Sequence, residues 1–499
     1  MHVDRFERER LENVRPAAWR NPRPVDKYNL VVIGAGPAGL VAAHAAAGLG
    51  AKVALVEREL LGGDCLNIGC VPSKSLIRTA RLYAEMRTAE QYGGWVPSDI
   101  RIDFTAVMER MRAIRARLSR VDSARRLMQA GVDVFFGDCR FVGTDTLSLD
   151  GTKLRFNKAL IATGARPDKP SVPGLVEAGL LTNENVFDLT ELPRRLLVIG
   201  GGPLGCELAQ VFCRFGARVT IAQDWPMFLP KEERDAAQIL SDAFARDGIE
   251  VRLDTKAVGV RVENDTKLVD LVNESNHSTV AVDAILAGAG RLPNVEDLDL
   301  RAAGIDCDVK MGVKVNDFLQ STNPRVYAAG DACLEHKFTH TADASARIVV
   351  RNALFPGRER LSALTIPWCT YTDPEIAHVG LYVREALERG IPVKTFTVPM
   401  HDVDRAITDS EQTGFVKIHV KERTDRILGA TIVARHAGDM INEITLAMVA
   451  KIGLGTLARV IHAYPTQAEA IKMAADAYNR TRLTPTIRSL AQRWLAWNR

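Results

Sequence analysis

A single pattern occurs twice in the chain, and it leaves few folds open. NLVVIGAGPAGLVAAHAAAGLGAKVALVER begins at Asn29, and RLLVIGGGPLGCELAQVFCRFGARVTIAQD begins at Arg195, 166 residues later. Each copy reads as an apolar strand, a G-x-G-x-x-G turn, an apolar-faced helix closing on glycine, and a second apolar strand. Gly34 and Gly200 permit the tight turn, Gly36 and Gly202 allow close approach of a pyrophosphate, and Gly39 and Gly205 let helix and strand pack. The phosphates would then meet free N–H groups at a helix N-terminus.

Context strengthens the first copy. Its second strand ends in Glu57, 23 residues after Gly34, where a carboxylate can accept both hydroxyls of an adenosine ribose. Two such units imply two bound dinucleotides, and electron transfer between a flavin and a nicotinamide is the natural reason to hold both. In the second copy Gln223 stands where Glu57 stands in the first, with Asp224 after it and Arg218 at the strand's start. Neither a carboxylate selecting NAD nor a clear arginine clamp for NADP is present, so a weak or mixed preference is expected.

Composition sets the outer limits. The 499 residues exceed one core, so about three domains are expected, and 46% hydrophobic with 25% charged residues is ordinary for a globular protein. A net charge of +4 gives no reason to expect a nucleic-acid partner. The start, MHVDRFERERLENVRP, lacks the apolar stretch of a signal peptide, and Leu30 to Ala43 is broken by glycines and too short to span a membrane. Eight cysteines suit a reducing cytoplasm. Residues 1–28, with Pro16, Pro22 and Pro24, read as an extended surface arm without chemistry.

The stretch GGDCLNIGCVPSK carries Cys65 and Cys70, with Lys74 one helical turn beyond. Structural zinc wants four ligands and no second pair accompanies this one. An inert disulfide conflicts with a reducing compartment. A redox-active pair fits best, with Cys70 near a helix start that favours the thiolate and Lys74 on the same face. Cys139, Cys206, Cys213, Cys307, Cys333 and Cys369 are single and read as small buried hydrophobes. FNKALIATGARP reads as a strand closing in a Thr163-Gly164 turn, and PRVYAAGDAC as one closing in Gly330-Asp331. From about Leu361, strand-like segments and amphipathic helices make a separate α+β region.

From Asn29 to Arg482 these motifs, with HAYPTQAE near the end, resemble in combination and order the flavin-dependent pyridine nucleotide-disulfide oxidoreductases. That family includes dihydrolipoamide dehydrogenase, glutathione reductase and mercuric reductase. The resemblance implies an α/β fold with two Rossmann-like dinucleotide-binding domains, for FAD and NAD(P), and a C-terminal α+β dimerisation domain. The expected boundaries are an extension over 1–28, a discontinuous FAD domain over 29–165 and 288–360, an NAD(P) domain over 166–287, and a dimerisation domain over 361–499.

By the same resemblance Gly34, Gly36, Gly39 and Glu57 hold the ADP half of FAD, with Thr163, Gly164, Gly330, Asp331 and Ala332 completing its site. Gly200, Gly202, Gly205, Glu207, Gln223 and Gly290 face NAD(P)H, and Lys74 pairs with Glu207. Cys70 is implied as the flavin-proximal thiol and Cys65 as the thiol that meets substrate. The partner subunit of a homodimer would complete the site. Disulfide-reducing relatives carry there a His-Pro-Thr segment with a glutamate five residues after the histidine. Here Tyr464 takes the histidine position and Glu469 is retained, while His462 reads as a structural neighbour. Tyrosine there is typical of mercuric reductases, although this sequence has no cysteine after Cys369 and no N-terminal metal-binding module.

The leading expectation is a cytoplasmic NAD(P)H:acceptor flavoenzyme of the mercuric-reductase type, with no resident metal and with Hg(II) held transiently by Cys65 and Cys70. A dihydrolipoamide dehydrogenase-like enzyme is the runner-up. A flavin-carrying structural subunit is the alternative from another class, disfavoured by the intact dithiol and both nucleotide fingerprints. Neither a nucleic acid nor a membrane is expected as a partner.

Overall fold

The computed structural model describes residues 4–97, 100–274, 276–288 and 290–499. The chain divides into two compact units, one of residues 1–224 and 254–364, the other of residues 225–253 and 365–499.

In chain order the first unit opens with helix α1 (Arg5–Val14), strand β1 (Tyr28–Ile33), helix α2 (Pro37–Gly48) and strand β2 (Val53–Glu57). Helices α3 (Gly63–Asn67), α4 (Cys70–Arg87) and α5 (Phe104–Ser119) follow, then strands β3 (Val132–Phe136), β4 (Cys139–Gly143), β5 (Thr146–Leu149) and β6 (Thr152–Ile161). The sheet runs β3-β2-β1-β6-β5-β4, and strand Val326–Ala328 also pairs with β6. Parallel registers such as Leu30↔Val53 and Ile33↔Ile161 bring the carboxyl ends of β1, β2 and β6 to one edge. Strand β2 is buried along its whole length, as expected for a parallel sheet covered on both faces. Alanines of α2 pack with helix Thr339–Leu354 in the core on one face. Phe135, Phe141 and Phe156 fill the core on the other.

The second repeat forms its own parallel sheet, in which Arg195–Ile199 lies between Arg218–Ala222 and Ala284–Ala287 and the latter pairs with Leu180–Leu181. A three-stranded antiparallel sheet, Thr255–Glu263, Thr266–Asn273 and Asn276–Val282, follows in the chain.

In the other unit an antiparallel sheet orders Pro367–Thr370, Glu375–Gly380, Ile427–Ala434, Phe415–Lys421 and Val393–Pro399. Helices Ala437–Val449 and Glu469–Thr481 share its core. The segment 225–253, placed by sequence within the NAD(P) region, groups by its contacts with this unit. Glu232 accepts from Tyr382 Oη (2.7 Å) and Trp368 Nε1 (3.2 Å), and Glu233 pairs with Lys417 (2.6 Å) and His419 (3.0 Å).

Two expectations need correcting. Cys307, read as buried, is exposed in the short strand Cys307–Asp308. The N-terminal residues do not form an extended arm throughout, because Arg5–Val14 is helical. Asp4 caps it by accepting from the N–H groups of Phe6 (2.9 Å) and Glu7 (2.8 Å). Its buried face holds Glu7, Arg10 and Val14, so ion pairing does much of what apolar periodicity usually does. Among the described residues no helix is long and apolar enough to cross a membrane.

Candidate active site

The two repeats build matching turns. A Cβ on Gly34, at φ +96°, would lie 2.4 Å from the Ala162 carbonyl oxygen, and one on Gly39 would lie 1.8 Å from that of Gly34. Gly36 is different. Its Cβ would meet only the Gly63 Cα, at 3.8 Å, so protein packing does not demand glycine there. That open space at the N-terminus of α2 fits a pyrophosphate. Glu57 is buried and accepts from the N–H groups of Ala35 (2.7 Å) and Glu59 (2.7 Å). Two backbone donors leave further lone pairs on the carboxylate for a ribose. Burial pushes its pKa up, against those two hydrogen bonds.

In the second repeat a Cβ on Gly205 would come 2.3 Å from the Gly200 oxygen, while one on Gly202 would find its nearest neighbour, Gly288 O, at 3.4 Å. Gln223 Oε1 accepts from the Gly201 N–H at 2.6 Å, the same bond that Glu57 receives from Ala35. An amide therefore replaces the carboxylate without altering the turn. Gly290 lies beside Asp168, whose Cβ would be 3.5 Å from a Cβ there.

Thr163 and Asn294 are joined twice, Thr163 Oγ1 donating to Asn294 O (2.7 Å) and Asn294 Nδ2 to Thr163 O (3.0 Å). Gly164 follows at φ +70°. Strand Val326–Ala328 leads into the turn of Gly330, Asp331 and Ala332, where Ser345 Oγ accepts the Gly330 N–H at 3.1 Å. Asp331 has its pKa raised by burial and opposed by Arg291, whose Nε lies 3.6 Å away. Among the described residues that buried Nε has no hydrogen-bond partner, a donor that a flavin dinucleotide suits. Arg291 also binds Asp64 and the Ala165 carbonyl (2.7 Å), tying this turn to the residue before Cys65.

Cys65 sits in the five-residue helix α3, and α4 begins at Cys70. The neighbouring Cys65 thiol lowers the Cys70 pKa, and burial opposes it. Thr339 Oγ1, 3.4 Å from Cys70 Sγ, and the Lys74 charge lower it further. The same pairing, then burial, pushes Cys65 up. Cys70 thus stands at the first residue of α4 and against the first residue of the 16-residue helix Thr339–Leu354. Two N-terminal dipoles favour a thiolate there. Lys74 Nζ lies 2.8 Å from Glu207 Oε2, and Glu207 is only 4% exposed. Helix Pro203–Arg214 of the second repeat therefore touches α4, which begins at Cys70.

Thr339, Asp64 and Arg291 were missed from sequence. Thr339 opens an ordinary helix and carries no motif, although threonine at a helix start beside the GDA turn was a usable signal. Burial pushes the Cys333 thiol up, and its Sγ lies 3.7 Å from the Gly330 carbonyl.

In the other unit Tyr464 is 69% exposed, and its hydroxyl donates to Asp404 at 2.9 Å. That bond and the Asp404 charge raise the phenol's pKa. Glu469 starts helix Glu469–Thr481, five residues on. His462 is turned elsewhere. Its Nε2 faces Glu443 at 3.0 Å and its Nδ1 the Val460 carbonyl at 3.3 Å, leaving no lone pair aimed at solvent.

Comparison with known proteins agrees with this geometry. The family described as "Pyridine nucleotide-disulphide oxidoreductase" matches residues 28–346, and its "dimerisation domain" matches residues 366–475. A mercuric reductase of Staphylococcus aureus is 33% identical over 455 residues, covering 91% of this chain and 83% of that protein. A dihydrolipoyl dehydrogenase of Thermus scotoductus is 33% identical over 462 residues, covering 91% and 98%. The solved HOCl-induced flavoprotein disulfide reductase RclA from Escherichia coli superposes with a TM-score of 0.80 at 27% identity, covering 90% of this chain and 99% of that one. The chain belongs to the pyridine nucleotide-disulphide oxidoreductases, NAD(P)H-dependent flavoproteins that use FAD and a redox-active disulfide.

Proposed function

We propose that the protein reduces a thiophilic metal ion, Hg(II) before others, with electrons from NAD(P)H. Tyr464 carries this reading. A disulfide or dithiol substrate must exchange a proton as it meets the redox pair, and a phenol of ordinary pKa near 10 is a poor base for it. The Asp404 bond raises that phenol further, and His462 faces other acceptors. A soft cation asks for no such proton, because the thiolates themselves are its ligands. The balance is NAD(P)H plus Hg(II) giving NAD(P)+, a proton and Hg(0).

Bound FAD supplies a two-electron carrier between nicotinamide and dithiol. The chain's own residues do the rest. Gly36, Glu57 and Asp331 seat that cofactor, Gly202 and Gln223 seat the nicotinamide dinucleotide, and the Lys74–Glu207 pair holds a fixed charge beside Cys70. Cys70 carries the thiolate, and Cys65 is the thiol that meets the acceptor. A homodimer would bring Tyr464 and Glu469 of the C-terminal domain to the partner's cysteines. The mercuric reductases among the relatives support the reading, and so does RclA, which has also been solved as a Cu(II) complex.

The dihydrolipoyl dehydrogenase match is as strong in identity and sets the competing reading. An acceptor panel separates them: Hg(II) with excess thiol, Cu(II), lipoamide and glutathione disulfide, each with NADH and NADPH. Hg(II)-dependent oxidation of NAD(P)H should exceed lipoamide and glutathione turnover by at least about tenfold. Lipoamide turnover near 10² per second would overturn the proton argument. With low wild-type lipoamide turnover, Tyr464→His should raise thiol-disulfide activity.

A further inference from the structure

Helix α1 lies ahead of the residues that the family profile matches, which begin at 28, yet it reaches the redox loop. Arg10 donates to Asn67 Oδ1, and Asn67 stands between Cys65 and Cys70 in sequence. Glu7 holds Arg10 in place, accepting from its Nε at 3.1 Å, and also accepts from Arg115 at 3.0 Å. Arg115, from α5, donates to the Asn67 carbonyl at 2.8 Å. Asn67 in turn donates to the carbonyls of Leu61 (3.0 Å) and Gly63 (2.9 Å), so it grips both ends of α3. Glu7, Arg10, Arg115 and Asn67 are 1%, 3%, 2% and 4% exposed, which places the whole network out of water. Such charge-assisted bonds are strong when fully buried and paired, and costly to half remove.

We propose that α1 is a clamp on the redox loop: Arg10, backed by Glu7 and Arg115, holds Asn67 and so fixes helix α3 with Cys65 opposite Cys70. Arg10, Glu7 and Arg115 are positioning residues that touch neither thiol. A five-residue helix has too few internal hydrogen bonds to hold its own place. The effective concentration of Cys65 at Cys70 therefore depends on what anchors Asn67. The thiol–disulfide equilibrium of the pair reads that concentration directly. Disulfide formation removes two electrons and two protons from the thiols, and oxidised dithiothreitol in the redox buffer receives them.

The inference rests on Cys65 and Cys70 being the redox pair, and the test keeps the two apart. Full-length holoenzyme would be equilibrated in dithiothreitol redox buffers, and free thiols at Cys65 and Cys70 counted by alkylation and mass spectrometry. Arg10→Lys keeps the charge beside Glu7 but lacks the fork that reaches Asn67 as well. It should weaken the disulfide about tenfold, a rise of about 30 mV in potential. Arg10→Gln should do at least as much. Asn13→Ala cuts another tie between α1 and α5, the bond to Ser119 Oγ, and should leave the equilibrium unchanged. A folded Arg10→Lys enzyme with the wild-type equilibrium overturns the clamp, and so does an equal shift in Asn13→Ala. Should Arg10→Gln not fold, Arg10→Lys alone decides. A wild type in which Cys65 and Cys70 never interconvert between dithiol and disulfide refutes the redox pair itself, and the clamp with it.

Discussion

Cys70 owes its thiolate character to neighbours that can be removed singly. Thr339→Val deletes one of the hydrogen bonds that lower its pKa while keeping shape. The pH at which Cys70 becomes reactive should rise by roughly half to one unit, read from iodoacetamide rates against pH. An unchanged profile would remove Thr339 from the site. In the holoenzyme, Cys65→Ser should retain a long-wavelength thiolate-to-flavin absorbance that Cys70→Ser abolishes. If neither change alters the spectrum, the assignment of Cys65 and Cys70 as the redox dithiol fails. At Gln223 the amide keeps the turn bond from Gly201 but brings no charge to a ribose. Gln223→Glu should raise the NADH-to-NADPH ratio of kcat/KM by about tenfold, through both ribose bonding and repulsion of a 2′-phosphate. A thousandfold wild-type preference for either nucleotide would contradict this.

Among elements, helix Arg234–Asp247 begins just after Glu233, whose carboxylate pairs with Lys417 and His419 of the C-terminal sheet rather than capping the helix. Burial raises the pKa of that carboxyl, but hydrogen bonds from His419 and Lys417 outweigh it and hold it at about 2, below its ordinary 4.5. A depressed carboxylate stabilises the fold above its unfolded pKa, and that stabilisation is lost as pH falls from about 4.5 toward 2. Glu233→Gln should therefore lower stability at neutral pH by up to about 3 kcal/mol and flatten its dependence across that acidic window. Denaturant melts at several pH values would show it, and parallel pH curves for both proteins would refute it. Elements also differed in how well the sequence announced them. The nucleotide-type turns were legible because Gly34 and Gly39 have no room for a side chain. The helical α1 was hidden because its inward positions are Glu7 and Arg10, which a search for apolar periodicity reads as surface. Thr339 was hidden for a different reason. Its meeting with Cys70 joins residues 269 positions apart and leaves no local pattern.

The whole molecule carries both nucleotide-type turns, Cys65 and Cys70 in one unit, and Tyr464 in the other. Ile461 (94%), Leu446 (66%) and Val449 (62%) are exposed on the unit that matches the dimerisation domain. Ile461→Asp should produce a monomer by sedimentation that still bleaches its flavin with NAD(P)H yet fails to pass electrons to Hg(II). Full metal turnover by that monomer would remove the partner from the reaction.

The grouping of residues 225–253 with the C-terminal strands has a consequence for how the chain is made. His419 is synthesised 186 positions after Glu233. At roughly 5–20 residues per second, Glu233 waits about 10–40 s for that partner. During that interval Glu232 and Glu233 lack their later partners Trp368, Tyr382, Lys417 and His419. Ribosome-bound chains halted before residue 415 should therefore be the ones that chaperones recognise and proteases cut, with the first nicks near residue 230.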